Sequence, residues 1–345
     1  MYPERFWQVF TAASLNPNKA EEFLQTLRPT DLDPTDLFLS WPKLTDAERH
    51  RITSTKADTI TKAFSDGVTI LHPKDYPESL QRVPNQPRLL FAKGQVEPLH
   101  NPKVGIVGTR RATTQGKAIA QKFAEHLALA GCTIVSGGAF GIDIAAHLGA
   151  LNVNKPTVCV LPCGLDKAQP PRHAEHFQRM TENGCLISPY AIGTPTSRDS
   201  LLARNAILAA LVDVLLVIEA PLPSGSLNTA THAANLNRPL YVVPGSISLD
   251  NYRGSHQLIR DGATLVDHPD QILADLNIQF DLTNQTNNEL PETQALILHM
   301  LGSEAIPLES ISAETGLTTQ ELLAELTMLE LDGHVIKHAG GYART

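Results

Sequence analysis

Between residues 103 and 245 the chain repeats one pattern. A short run rich in valine, isoleucine and leucine ends in glycine or a small polar residue, and an amphipathic stretch follows. KVGIVG (103–108) leads into TTQGKAIAQKFAEHLALAG, and CTIVSG (132–137) leads into IDIAAHLGAL. PTVCVLP, GCLISP, DVLLVIEA and RPLYVVPG continue the series. Strands that are apolar almost throughout are covered on both faces. Their alternation with helices predicts a doubly wound parallel α/β sheet. The first helix is predicted to bury Ile119, Phe123, Leu127 and Ala130, spaced i, i+4, i+8 and i+11.

The loops after such strands gather at the carboxyl edge of the sheet, where ligands bind. Gly108-Thr109-Arg110, the Ser136-Gly137-Gly138 segment running to Gly141 and Asp143, Cys163-Gly164, Ser224-Gly225-Ser226 and Pro244-Gly245 all belong there. Glycine lets backbone N–H groups approach an anion closely, and a following helix N-terminus adds positive potential. One such loop is simply a tight turn. Five on one edge, with Arg110 on the first, predict a phosphate-binding groove. Arg172, Arg198 and Arg204 follow the later strands, and guanidinium suits bidentate phosphate contact. Arg111, Lys167 and Arg179 read equally well as surface charge.

The glycines do not form a dinucleotide fingerprint, because GIVGTR and SGGAFG lack the G-x-G-x-x-G spacing. No G-K-[ST] follows them, and GSLNTA is not a nucleophile elbow. Cys132, Cys159, Cys163 and Cys185 form no C-x-x-C pair and read as buried thiols. His173 and His176 read as one solvated helix face. No metal, cofactor or catalytic group is expected.

Outside the alternating region the chain changes character. Residues 1–66 carry proline-punctuated helical stretches, TDLDPTDLFLSW and LTDAERHRITS among them, and read as a small helical domain. GVTILHP and PRLLFAKG read as short strands opening a core that runs from 67 to 278. Residues 279–292 are polar and read as a linker. Residues 293–345 read as three helices and a hairpin, a winged-helix-like module with Leu322, Leu326 and Leu329 as its stripe. Residues 271–345 hold 2 Lys+Arg against 11 Asp+Glu, net −9, which exceeds the net −8 of the whole chain. The acidity therefore belongs to the tail. A winged helix reads DNA with a basic helix, so this acidic one is expected to meet protein, or the basic face of its own core. No segment has the length and apolarity of a membrane span, and the first residues lack the pattern of a signal peptide. A cytoplasmic location is expected.

VGIVGTRRAT, IVSGGAFGIDIAAHLGAL, VCVLPCGLD, ISPY, ARNAILAAL, VIEAPLPSGSLNTATHAANLNRPLYVVPG and GSHQLIRDGATLV occur in the order and spacing of one family. They resemble the DNA processing protein A family (DprA, also called Smf), over about residues 67–270. The resemblance implies an extended Rossmann-like core that binds single-stranded DNA without catalysis and pairs as a homodimer. It also implies protection of incoming strands in natural transformation, and loading of RecA recombinase onto DNA coated by single-strand-binding protein. Carried over, the DNA contacts are Gly108, Thr109, Arg110, Ser136, Gly137, Gly138, Gly141, Arg172, Arg198, Arg204, Asn205, Ser224, Gly225, Ser226 and Gly245.

This chain departs from the family pattern. The usual Ala-Arg-Gly is Ala139-Phe140-Gly141, and Phe-Pro-x-Arg-Asn-Arg is Leu201-Leu202-Ala203-Arg204-Asn205-Ala206. The usual Tyr-Pro after GLD is Gln169-Pro170. Two arginines and two aromatics are lost. Stacking is worth about 1–3 kcal/mol per base, so weaker binding is expected unless Phe140 restores some of it. The alternative is a nucleotide-processing enzyme related to the nucleoside-monophosphate phosphoribohydrolases, with Glu219 or Asp143 as its acid. PSGSLNTA lacks the glutamate such a loop needs, and Asp143 fits a helix-start role.

Overall fold

A computed structural model describes residues 33–54, 66–83, 86–280, 292–302, 305–331, 334–338 and 340–344, together with 6, 9, 22 and 23. The chain divides into two compact units, 1–279 and 280–345. The expected linker lies mostly outside the described residues, as does much of the expected N-terminal domain.

In the N-terminal region, helix α1 (Pro34–Leu39) starts where Asp33 caps the Thr35 N–H at 2.8 Å. Helix α2 (Asp46–Ser54) follows a Thr45–Glu48 capping box. Phe38, Trp41, Leu44 and Ile52 form one core cluster with Phe6, Phe23 and Leu89.

Among the described residues the first unit is built on a nine-stranded sheet of order β1-β2-β6-β5-β4-β3-β7-β8-β9. The strands are β1 (Val68–Leu71), β2 (Leu90–Gly94), β3 (Lys103–Val107), β4 (Thr133–Ser136), β5 (Thr157–Val160), β6 (Cys185–Ser188), β7 (Val214–Val217), β8 (Leu240–Val242) and β9 (Thr264–Leu265). From β6 to β9 every pairing is parallel. The sheet is not wholly parallel, however. β2 runs antiparallel to both β1 and β6. These two strands precede the alternation and are joined by a turn-rich segment rather than a crossover helix, so nothing imposes the parallel sense on them. β9 escapes sequence reading because it is a two-residue edge strand, exposed along its length.

The helices named next complete the first unit: α3 (Glu78–Gln81), α4 (Thr114–Leu129), α5 (Ile142–Asn152), α6 (Ala174–Asn183), α7 (Arg198–Leu211), α8 (Gly225–Asn235), α9 (Arg253–Arg260) and α10 (Pro269–Asp275). The two-residue period of the strands sorts side chains between two cores. Ala92, Val158, Val160, Cys185 and Ile187 pack with Leu208, Leu211 and Ala230 of α7 and α8. Phe91, Cys159 and Leu186 face the other way, onto Leu151, Phe177 and Met180. Each fully buried Leu, Val or Ile stabilises by about 1.5–3 kcal/mol. The α4 stripe is turned by one residue from expectation. Ala120, Phe123, Ala124 and Leu127 are buried, and Ile119 and Ala130 are half-buried. All four cysteines are buried, and burial raises the thiols, Cys132 to about 11 and Cys185 to about 12.

The second unit packs α11 (Glu292–Met300), α12 (Leu308–Thr315) and α13 (Thr319–Leu331) around Ile297, Ile311, Leu322, Leu326 and Leu329. A hairpin of β10 (Val335–His338) and β11 (Gly341–Arg344) forms the wing, with Ile306 bridged to Tyr342. No helix among the described residues is long and apolar enough to cross a membrane.

Candidate functional site

The chain runs from β3 outward through β4, β5 and β6, then returns to the other side of β3 as β7. The strand order therefore reverses between β3 and β7. At such a point the two following loops part and leave a crevice beyond the strand ends. A cleft of about 520 Å³ lies there, lined by Gly108 to Arg111, Asp143, Arg198, Leu201, Leu202, Arg204, Asn205, Pro221 and Pro223 to Ser226. Four arginines face one carboxylate.

The loops around it are clamped to one another. The Thr109 N–H donates to the Glu219 carbonyl at 2.7 Å, and the Thr109 carbonyl accepts from the Ile142 N–H at 3.2 Å. The residue before Arg110 thus ties the loops after β3, β4 and β7 together. Gly141 has φ +81° and no room for a Cβ against the Thr109 carbonyl. Arg110 and Arg111 are exposed on this fixed backbone.

Glu219 holds the assembly from beneath. Its side chain is fully buried. The carboxylate accepts from the Thr113 N–H at 3.0 Å, from the Thr113 hydroxyl, from Asn251 Nδ2 at 2.9 Å and from the Tyr252 hydroxyl at 3.2 Å. Thr113 in turn caps α4 by accepting from the Gly116 N–H at 2.9 Å. Glu219 does not line the cleft. With four donors on its two oxygens, its visible work is to order the loop that carries Arg110.

Helix α7 separates its polar residues by geometry. Arg198 and Asn205, seven apart, share a face, while Arg204 is turned about 120° inward. Arg198 is exposed at the first position of α7. A cation there opposes the helix dipole, so it raises positive potential at the cleft without helping the helix. Arg204 is 5% exposed. Its Nη1 donates to the carbonyls of Gly137 at 2.6 Å and Val160 at 2.7 Å. A Cβ on Gly137 would collide with that guanidinium, which explains the glycine. Arg204 therefore braces the ends of β4 and β5 while its outer edge lines the cleft. Asn205 Nδ2 reaches Asn228 Oδ1 at 3.1 Å and joins α7 to α8.

Ser224 caps α8, accepting from the Ser226 N–H at 3.3 Å. The first turn of α8 holds no acid, and a Cβ on Gly225 would meet only open space. The Ser226 amide is taken by that cap, and the Gly225 end of the helix lines the cleft. The one carboxylate in the cleft is Asp143, buried, accepting a long bond from the Ala139 N–H at 3.4 Å. Burial pushes its pKa up, against the opposing pull of Arg204, the Ala139 amide and Arg110. Protonation of Asp143 as pH falls makes the cleft more positive.

Nine of the fifteen residues expected at the site line this cleft: Gly108, Thr109, Arg110, Arg198, Arg204, Asn205, Ser224, Gly225 and Ser226. The others lie elsewhere. The Ser136 hydroxyl donates to the Ile106 carbonyl at 2.6 Å inside the sheet. Gly137 and Gly138 are buried under Arg204 and Phe177, and Gly245 packs on the Tyr252 ring. Arg172 is exposed on the loop after β5. Nor is His173 solvated. It is buried, with Nδ1 bonded to the Gly138 carbonyl at 3.0 Å. Sequence reasoning took Leu201 and Leu202 only as losses from the family pattern, gave Pro221 and Pro223 no role although all four wall the cleft, and missed the Thr113–Asn251–Tyr252 clasp on Glu219. The one visible signal for the clasp was an acid ending an otherwise apolar strand, which needs donors if buried. No group of three or more His, Cys, Asp or Glu among the described residues stands close enough to hold a metal.

A mostly parallel sheet with a basic crevice at its reversal point defines a Rossmann-like α/β domain. Comparison with known proteins narrows this. The family model for DNA recombination-mediator protein A matches residues 67–277, and that for the DprA winged helix domain matches 283–341. The chain belongs to the DNA recombination-mediator protein A family. It is 35% identical to protein Smf of Escherichia coli over 283 residues, 78% of this chain and 75% of the relative. Against the DNA processing protein DprA of Streptococcus pneumoniae it is 36% identical over 200 residues, 58% of this chain and 71% of the relative. The X-ray structure of that protein superposes with a TM-score of 0.67 at 28% identity, over 81% of this chain and 100% of the other. DNA processing protein A of Helicobacter pylori superposes with a TM-score of 0.56 at 32% identity, over 61% and 95%.

Proposed function

We propose that this chain binds single-stranded DNA in the cleft and acts as a non-catalytic recombination mediator in the cytoplasm. In this reading it works as a homodimer, protecting incoming strands in natural transformation and loading RecA recombinase onto strands coated by single-strand-binding protein. The observation that carries it is the concentration of Arg110, Arg111, Arg198 and the acid-free N-terminal turn of α8 on one clamped crevice. Phosphate takes both kinds of donor, and each neutralised phosphate releases counterions. The Helicobacter pylori relative, whose structure is described for its single-stranded DNA binding mode, supports the same choice of ligand. The enzyme alternative loses one of its two candidate acids, because the Glu219 carboxylate is saturated and outside the cleft, and keeps Asp143. The test is RecA filament formation on strands precoated with single-strand-binding protein. Adding the chain is expected to shorten the lag, and Arg110→Ala is expected not to. A lag unaffected by the wild-type chain contradicts the mediator role.

The winged helix has a separate task in this reading. The exposed side of α13 offers Gln320, Glu321, Leu323, Ala324, Thr327, Met328 and Glu330, with no basic residue. Such a face repels phosphate and suits a protein partner. Truncation after residue 279 is expected to leave oligo-dT affinity within about twofold. The full chain is expected to bind duplex DNA no more tightly than the truncated one. A tenfold loss of duplex affinity on truncation, measured by anisotropy, contradicts this.

A further inference from the structure

We propose that Phe140 is a stacking platform for a nucleobase of the strand whose phosphates the cleft takes, so that the strand leaves the cleft across the loop after β4 toward Arg172. This rests on the single-stranded DNA reading above. Phe140 is 43% exposed, and it is the one aromatic among the exposed large hydrophobic side chains of the described residues. It follows Ala139, which lines the cleft. About two-fifths of its surface stays open to a ligand.

The ring is held in place. It meets His173 edge to face, with centroids 4.6 Å apart and planes at 70°. His173 is itself fixed, because the Gly138 carbonyl can only accept, so Nδ1 carries the proton of that 3.0 Å bond. Burial lowers the imidazole pKa and favours the neutral ring. Phe177 also packs edge to face with that imidazole, with centroids 6.0 Å apart. Phe140 thus leans on a packed aromatic cluster and gives up little freedom when a base stacks on it.

The sheet supplies the path. The loops after β3, β4 and β5 lie side by side along the carboxyl edge. Strands are about 4.8 Å apart, so β3 to β5 spans about 10 Å, a step that a few nucleotides of single strand cover. Arg172, exposed beside His173 on the loop after β5, gives the next phosphate a partner outside the cleft.

Anisotropy titrations of the full chain with oligo-dT and with an abasic strand of equal length test the platform. Wild type is expected to bind oligo-dT about fivefold or more tighter than the abasic strand, the lower end for one stacked base. Phe140→Ala is expected to lose that margin, weakening on oligo-dT while holding its abasic affinity within about twofold. Phe140→Trp is expected to restore it. Equal oligo-dT affinity in Phe140→Ala and wild type, or an equal loss on both strands, overturns the platform and leaves the cleft reading intact. Failure of wild type to bind either strand overturns the single-stranded DNA reading, and the platform with it.

Discussion

Glu219→Ala is expected to destabilise the first unit by about 3–5 kcal/mol. The carboxylate accepts the Thr113 N–H and hydroxyl, Asn251 Nδ2 and the Tyr252 hydroxyl. Tyr252 is 3% exposed, so its hydroxyl cannot turn to water. Each buried donor left without a partner costs about 1–3 kcal/mol. Removing the side chain also opens a void against Gly116, whose missing Cβ makes room for the Glu219 carboxylate. For a unit of this size Tm moves about 2–4 °C per kcal/mol, giving a fall of about 6–20 °C. Glu219→Gln keeps the volume but turns a donor toward donors, and is expected to lose about half as much. A Tm within about 2 °C of wild type for Glu219→Ala contradicts the clasp.

Arg204→Ala is expected to cost about 2–6 kcal/mol, because two buried carbonyls lose their donor at about 1–3 kcal/mol each. It strips donors from the Gly137 and Val160 carbonyls and leaves the buried Asp143 without its largest favourable partner. Adding Asp143→Asn to Arg204→Ala is expected to recover about 1–2 kcal/mol, because the orphaned charge goes with it. Urea denaturation of the two single variants and the double variant completes the cycle. Strict additivity of the two single effects contradicts the coupling.

The strands and helices of the alternating region were legible because period and punctuation agree there. Continuous apolar runs name buried strands, and glycine or Ser-Gly-Ser marks where each one ends. The carboxyl-edge groove followed from topology alone. Three things were not legible. The sense of β2, and of β1 through it, depends on pairing with β6, about a hundred residues away, and no local pattern encodes it. The clasp on Glu219 joins positions 113, 219, 251 and 252, which only the fold brings together. Arg204 was read as a phosphate contact, and its second task was not legible: turned about 120° from Arg198, it holds the Gly137 and Val160 carbonyls while one edge still lines the cleft.

The central claim is that Arg110, on its clamped loop, meets the phosphates of a single strand. The direct measurement is oligo-dT binding by wild type and Arg110→Ala across a salt series. Wild type is expected to lose affinity linearly in log–log form, at about 0.7 per phosphate engaged. Arg110→Ala is expected to bind about tenfold or more weakly, with a slope shallower by about 0.7. Binding indifferent to salt, or unchanged by Arg110→Ala, contradicts the account.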